Sequence, residues 1–184
     1  MRSWHQAKGI SLLELMVTLA IVGIGMMIAL PAYQGLLDRN RLETQAQEFQ
    51  AAYNYARSEA IRLNRFVVLC QSNDGTVCAA PSSGRWNGWL VRASGATLGA
   101  ETGPVLRAMQ FQNSQVVVTA AFALATSGHA IRFNPQGLVR SFTANAPMSS
   151  GVQFCIRDGS NKVQQVQFNS GGLSKLVEIS GLCE

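Results

Sequence analysis

Lys8-Gly9-Ile10-Ser11-Leu12-Leu13-Glu14-Leu15 opens a run that carries no charge from Leu15 to Leu37. Within it lie Met16, Val17, Leu19, Ile21, Val22, Ile24, Met26, Met27, Ile28 and Leu30. A helix crossing a bilayer needs about 20 mostly apolar residues, so this stretch predicts a spanning segment. Glu14 stands at its head. A charge at mid-bilayer costs roughly 2.5–3.5 kcal/mol on insertion scales, and less near the end of a span. Glu14 therefore either lies at headgroup level or serves a purpose inside the membrane. Arg2 and Lys8 precede the run, which leaves the N-terminus cytoplasmic and exports everything after it.

Gly9, a hydrophobic residue, then Ser11, Leu12, Leu13 and Glu14, all abutting an apolar helix, resemble the class III signal of type IV pilins and type II secretion pseudopilins. The resemblance implies a leader, residues 1–9, removed after Gly9 by a prepilin peptidase. It also implies N-methylation of Ile10, and an assembly role for Glu14 as the fifth residue of the processed chain. Ile10 departs from the family, which usually has Phe there. The apolar helix lies after the cleavage point and so stays in the mature protein, unlike the core of a secretory signal peptide.

Beyond the span the 184-residue chain has room for one domain of ordinary size. The expected division is a leader at 1–9, a membrane and filament-core helix at 10–33, and a soluble globular domain at 34–184. Net charge is +5, too mild by itself to indicate nucleic acid. Leu42, Ala46, Phe49, Tyr53, Ala56, Ala60 and Leu63 recur at alternating spacings of about 3 and 4, which makes one apolar stripe on a helix over roughly 33–64. Pro31 predicts a kink or local unwinding ahead of it.

From Phe66 the period becomes strand-like. Strands are expected at Phe66–Cys70, Asn87–Ala93, Val105–Phe111, Gln115–Thr119, Ala130–Phe133, Leu138–Phe142, Val152–Arg157, Val163–Phe168 and Lys175–Ile179. Turns are expected at Ser72-Asn73-Asp74-Gly75, Asn134-Pro135-Gln136-Gly137 and Asp158-Gly159-Ser160-Asn161. Short strands with turns between them predict antiparallel sheets, and with the long helix an α+β fold. No internal repeat stands out.

Cys70, Cys78, Cys155 and Cys183 all follow the span, and an even count in an exported domain reads as two disulfides with three pairings open. Zinc is disfavoured, since no Cys-x-x-Cys occurs and His129 is the one histidine outside the leader. Ser127-Gly128-His129 reads as a surface turn. No Ser/His/Asp set, carboxylate pair or phosphate loop is visible, so an enzyme and a cofactor are not expected. Trp86 and Trp89 could form a stacking platform, but at a spacing of three on a strand at least one should be core.

A second set of residues resembles the GspH/FimT family of minor pilins and pseudopilins. It comprises Ala56-Arg57-Ser58-Glu59-Ala60-Ile61, Val68-Leu69-Cys70 with Cys78, Trp86-Asn87-Gly88-Trp89, Phe133-Asn134-Pro135-Gln136-Gly137, Phe154-Cys155 and Cys183. The resemblance implies a pilin-like fold, a long N-terminal helix packed on two antiparallel sheets. It implies a subunit near a filament tip, in the inner membrane before assembly, whose partners are other minor pilins, a major pilin and the prepilin peptidase. It also agrees with Cys70–Cys78 and Cys155–Cys183 as the pairs. FimT-like DNA-uptake members carry Gly-Arg-x-Arg near the C-terminus; the matching Gly172-Leu173-Ser174-Lys175 lacks both arginines. Arg140 and Lys175, with Arg157 and Lys162, are the weak DNA-contact candidates that remain.

Overall fold

The computed structural model describes residues 11–81, 84–94, 103–111, 115–157 and 162–181, with the backbone alone at 28–32 and 162. The chain divides into two compact units, Met1–Arg39 and Asn40–Glu184. Helix α1 (Leu12–Arg62) supplies most of the first and opens the second. Its backbone stays helical through Pro31, so the unwinding expected there is not observed.

Both ends of α1 have a chemical reason. At the start, Ser11 Oγ accepts the backbone N–H of Glu14 at 3.2 Å. This is the N-cap geometry of an S-x-x-E capping box, and it places an acid in the first turn, where the helix dipole favours one. At the end, Asn64 adopts a left-handed φ of 48°. Arg65 N–H bonds to Ala60 O and Asn64 N–H to Ile61 O, both at 3.2 Å, which is a Schellman closure.

The second unit holds nine strands in two antiparallel sheets. The five-stranded sheet runs β3 (Val105–Gln110), β2 (Gly88–Ala93), β1 (Val67–Gln71), β5 (Ala130–Phe133), β6 (Val139–Ser141). The four-stranded sheet runs β4 (Val116–Ala120), β7 (Ser150–Ile156), β8 (Lys162–Phe168), β9 (Ser174–Ser180). Each strand falls within two residues of its expected place. The turn expected at 158–161 lies outside the described residues.

Leu42, Ala46, Phe49, Tyr53, Ala56 and Ala60 are buried as the stripe predicts, joined by Ala52; Leu63, the last of the stripe, is only half-buried. They pack with Val67, Leu69, Ile131 and Phe133 of one sheet and Val118, Val152, Phe154 and Val166 of the other. The alanines keep the helix surface low, and Phe49 and Tyr53 fill the centre: Phe49 lies 5.8 Å from the rings of both Trp86 and Phe154, and Tyr53 4.9 Å from Phe133. A five-residue helix, α2 (Phe122–Thr126), links β4 to β5 and inserts Leu124 into this core.

Candidate functional site

At the head of α1 the described side chains are apolar and uncovered. Leu12 is 77 % exposed, Leu13 74 % and Met27 80 %, and Leu15, Met16, Val17, Leu19, Ile21, Val22, Ile24 and Met26 are exposed with them. Among the described residues no helix is long and apolar enough to cross a membrane. In sequence Ile28, Ala29 and Leu30 extend this stretch. Glu14, the carboxylate just ahead of the run, sits in the first turn of α1 with its backbone N–H tied to Ser11. Gly9 and Ile10, the expected processing residues, lie outside the described residues.

Cys70 and Cys78 form a disulfide with Cα atoms 5.6 Å apart. Cys155 is also disulfide-bonded. Its expected partner, Cys183, lies outside the described residues. The loop closed by Cys70–Cys78 contains the expected turn. Asp74 accepts from Thr76 Oγ1 at 2.6 Å, and from the backbone N–H groups of Thr76 at 2.8 Å and Val77 at 3.2 Å. These bonds, the Thr76 hydroxyl first, hold its carboxyl down at about 2. Its acceptor capacity is spent inside the loop. Among the described residues no cluster of His, Cys, Asp or Glu could hold a metal ion.

Trp86 and Trp89 are both buried, which removes the stacking platform. Trp86 precedes β2 and reaches the opposite sheet, its N–H bonding to Val118 O at 2.8 Å. Its indole N–H donates to His129 Nδ1 at 3.1 Å. His129 is thus not the free surface residue expected. It is half-buried in a left-handed turn, φ 55°, and burial pushes its imidazole below the usual histidine range.

Of the DNA-contact candidates, Arg140 lies on β6 and Lys175 on β9, edge strands of the two different sheets. Arg140 is half-buried, while Lys175 and Arg157 are exposed.

One arrangement escaped the sequence reading. Phe133-Asn134-Pro135-Gln136-Gly137-Leu138 and Phe168-Asn169-Ser170-Gly171-Gly172-Leu173 share the pattern F-N-x-x-G-L, a short repeat where none was expected. Each closes a hairpin, β5–β6 in one sheet and β8–β9 in the other. In both, the asparagine N–H bonds to the leucine carbonyl (3.1 and 3.0 Å), its side-chain oxygen accepts the leucine N–H (2.8 and 3.1 Å), and the glycine has a positive φ (74° and 85°). The two turns meet over α1. Arg57 Nε donates to Gly137 O at 3.0 Å, and a Cβ on Gly172 would strike both that carbonyl oxygen and the Arg57 guanidinium. The signal in the sequence was two copies of six residues, too short to register as a repeat without the pairing that aligns them.

The model of the family described as "Type II transport protein GspH" matches residues 45–172. The chain belongs to the GspH family. A second model, "Prokaryotic N-terminal methylation motif", matches residues 4–30, which brings Gly9, Ile10 and Glu14 inside a defined signal. Two crystal structures of the type IV minor pilin FimU of Pseudomonas aeruginosa PAO1 share the fold. One is 19 % identical with a TM-score of 0.55, covering 76 % of this chain and 90 % of that one. The other is 17 % identical with a TM-score of 0.51, covering 73 % and 91 %. No curated protein shows significant similarity. This GspH-family chain is therefore of the type IV pilin and pseudopilin kind, with an α+β pilin fold; its family and fold are those of structural subunits rather than enzymes.

Proposed function

We propose that this chain is a minor pilin that joins other minor subunits and the major pilin at the tip of a type IV pilus and helps prime its growth. The observation that carries the reading is the head of α1, a capped acid opening a run of uncovered apolar side chains. Such a surface needs lipid or protein against it. Before assembly the inner membrane covers it, with the globular domain in the periplasm. Within a filament the same side chains pack against helices of neighbouring subunits.

Cleavage after Gly9 frees the amine of Ile10 one residue ahead of the Ser11 cap. That amine, or a neighbour's, is the cation available to Glu14 once the helix leaves lipid. A buried charge pair contributes little net stability but fixes register between subunits. Mass spectrometry of the protein from its native membrane tests the processing step. The expected N-terminus is N-methylated Ile10. An intact leader, or cleavage beyond the apolar run, overturns it.

A second reading, a type II secretion pseudopilin, is favoured by the description of the matching family model. Deletion separates the two: lost piliation with normal exoprotein export supports the pilus reading, and the converse supports secretion. DNA contact by Arg140 and Lys175 gains no support, because phosphate binding adds up over several cations and of this pair only Lys175 is exposed.

A further inference from the structure

Beside the second of the twin turns lies a groove of about 540 Å³, lined by Gln167, Phe168, Asn169, Leu173, Ser174 and Lys175. Leu173 is 66 % exposed, a large aliphatic side chain held in water at the tip of a hairpin. Lys175 is exposed, and among the described residues no carboxylate pairs with it. Glu178, the other charged residue of β9, is an odd number of positions away and points to the opposite face of the sheet. Some of the groove's polar atoms are engaged internally. Asn169 Oδ1 accepts the Leu173 N–H at 3.1 Å, and Gln165 Oε1 takes the Gln167 amide at 2.7 Å. Ser174 Oγ lies 3.2 Å from Asn54 Oδ1 of α1. The groove thus sets one ammonium, that of Lys175, beside the exposed side chain of Leu173. That set fits an acceptor with negative charge next to an apolar side chain.

The groove is also held in shape. It follows the Asn169–Gly172 turn, whose glycine has φ 85° and whose backbone sits against Arg57 and Gly137. A preformed site spends less on ordering when a partner docks.

We infer that this groove receives an extended segment of a neighbouring filament subunit in which an Asp or Glu stands beside an apolar residue, the carboxylate meeting Lys175 and the apolar side chain meeting Leu173. The inference rests on the filament reading above. Nucleic acid is disfavoured here because a single ammonium supplies one phosphate contact, and Leu173 offers no stacking face.

The test places a photoreactive benzoylphenylalanine at position 173 of the full chain, in the bacterium that makes it. Crosslinked peptides are sequenced and the sheared filament fraction is probed for the chain. Val77, exposed in the Cys70–Cys78 loop, serves as the control position. The expected product joins position 173, and not 77, to a different pilin-motif subunit at a segment holding an acid beside an apolar residue. Lys175→Glu should lower its yield roughly tenfold, and Lys175→Arg should preserve it, as expected for a charge contact. A product insensitive to Lys175→Glu, a crosslink to a second copy of this chain or to DNA, or no product while the chain is present in filaments, overturns the groove inference alone. Absence of the chain from filaments overturns the filament reading instead.

Discussion

Gly172 is the residue whose identity is most tightly fixed by geometry. Its φ of 85° is strained for any side chain, and an added Cβ would overlap the Gly137 carbonyl and the Arg57 guanidinium. Gly172→Ala should cost about 2–4 kcal/mol, the sum of left-handed strain and a clash against backbone. Gly171, one residue earlier, would meet only the Asn169 side chain at 3.3 Å, so Gly171→Ala should cost well under half as much. Urea unfolding of the two variants checks the contrast. His129 makes a prediction about pH. Burial lowers its folded pKa below that of the unfolded chain, so the unfolded state binds the proton more tightly and acid favours unfolding. The contribution is complete above about pH 6.5 and is lost as pH falls through the lower folded value. Protonation also removes the Nδ1 acceptor used by Trp86. The unfolding free-energy difference between wild type and His129→Gln should therefore shrink as pH drops from 7 toward 5. A difference independent of pH across that range contradicts the assignment.

At the scale of elements, the Cys70–Cys78 bridge closes a loop of sequence separation 8 onto β1. A loop of that size loses chain entropy equivalent to about 2.5 kcal/mol when unfolded and crosslinked. Replacing both cysteines by alanine should lower stability by about 2–3 kcal/mol and leave the Cys155 bridge formed, as thiol counting and denaturation would show. In the core, Phe49→Ala should cost about 3–5 kcal/mol, since its fully buried ring packs on both Trp86 and Phe154. The strands were legible as short β-rich runs bounded by turns, and in β1 both faces are buried: Val67 and Leu69 join the main core, Val68 and Cys70 a second cluster. Helix α2 was not legible, because five residues cannot display a 3.6 period. Trp86 was misread as part of a strand. It lies ahead of β2, so strand alternation does not govern it, and it crosses to Val118. The Ser11–Glu14 cap was written in the sequence as S-x-x-E, but the membrane reading of Glu14 drew attention to the carboxylate and away from the backbone N–H.

The whole molecule divides its labour between two kinds of surface. Residues 40–184 contain their own core and two disulfide-bonded cysteines on their strands, Cys70 and Cys155. From Leu12 to Met27 the first unit leaves its large apolar side chains uncovered. The uncharged run from Leu15 to Leu37 lies within the first unit. The sequence concealed the Arg57 junction, because the contact joins positions 80 residues apart. It concealed the groove as well, since the exposure of Leu173 depends on a turn that only the fold defines. We propose that Glu14 is an assembly determinant and not a folding or processing one. The direct measurement compares wild type with Glu14→Ala in the native bacterium, reading the mature N-terminus and the amount of this chain in sheared filaments. Cleavage after Gly9 is expected at near wild-type levels, with the filament-associated chain reduced at least roughly tenfold, the loss expected when one partner of a desolvated charge pair is removed. Filament incorporation of Glu14→Ala equal to wild type would contradict it.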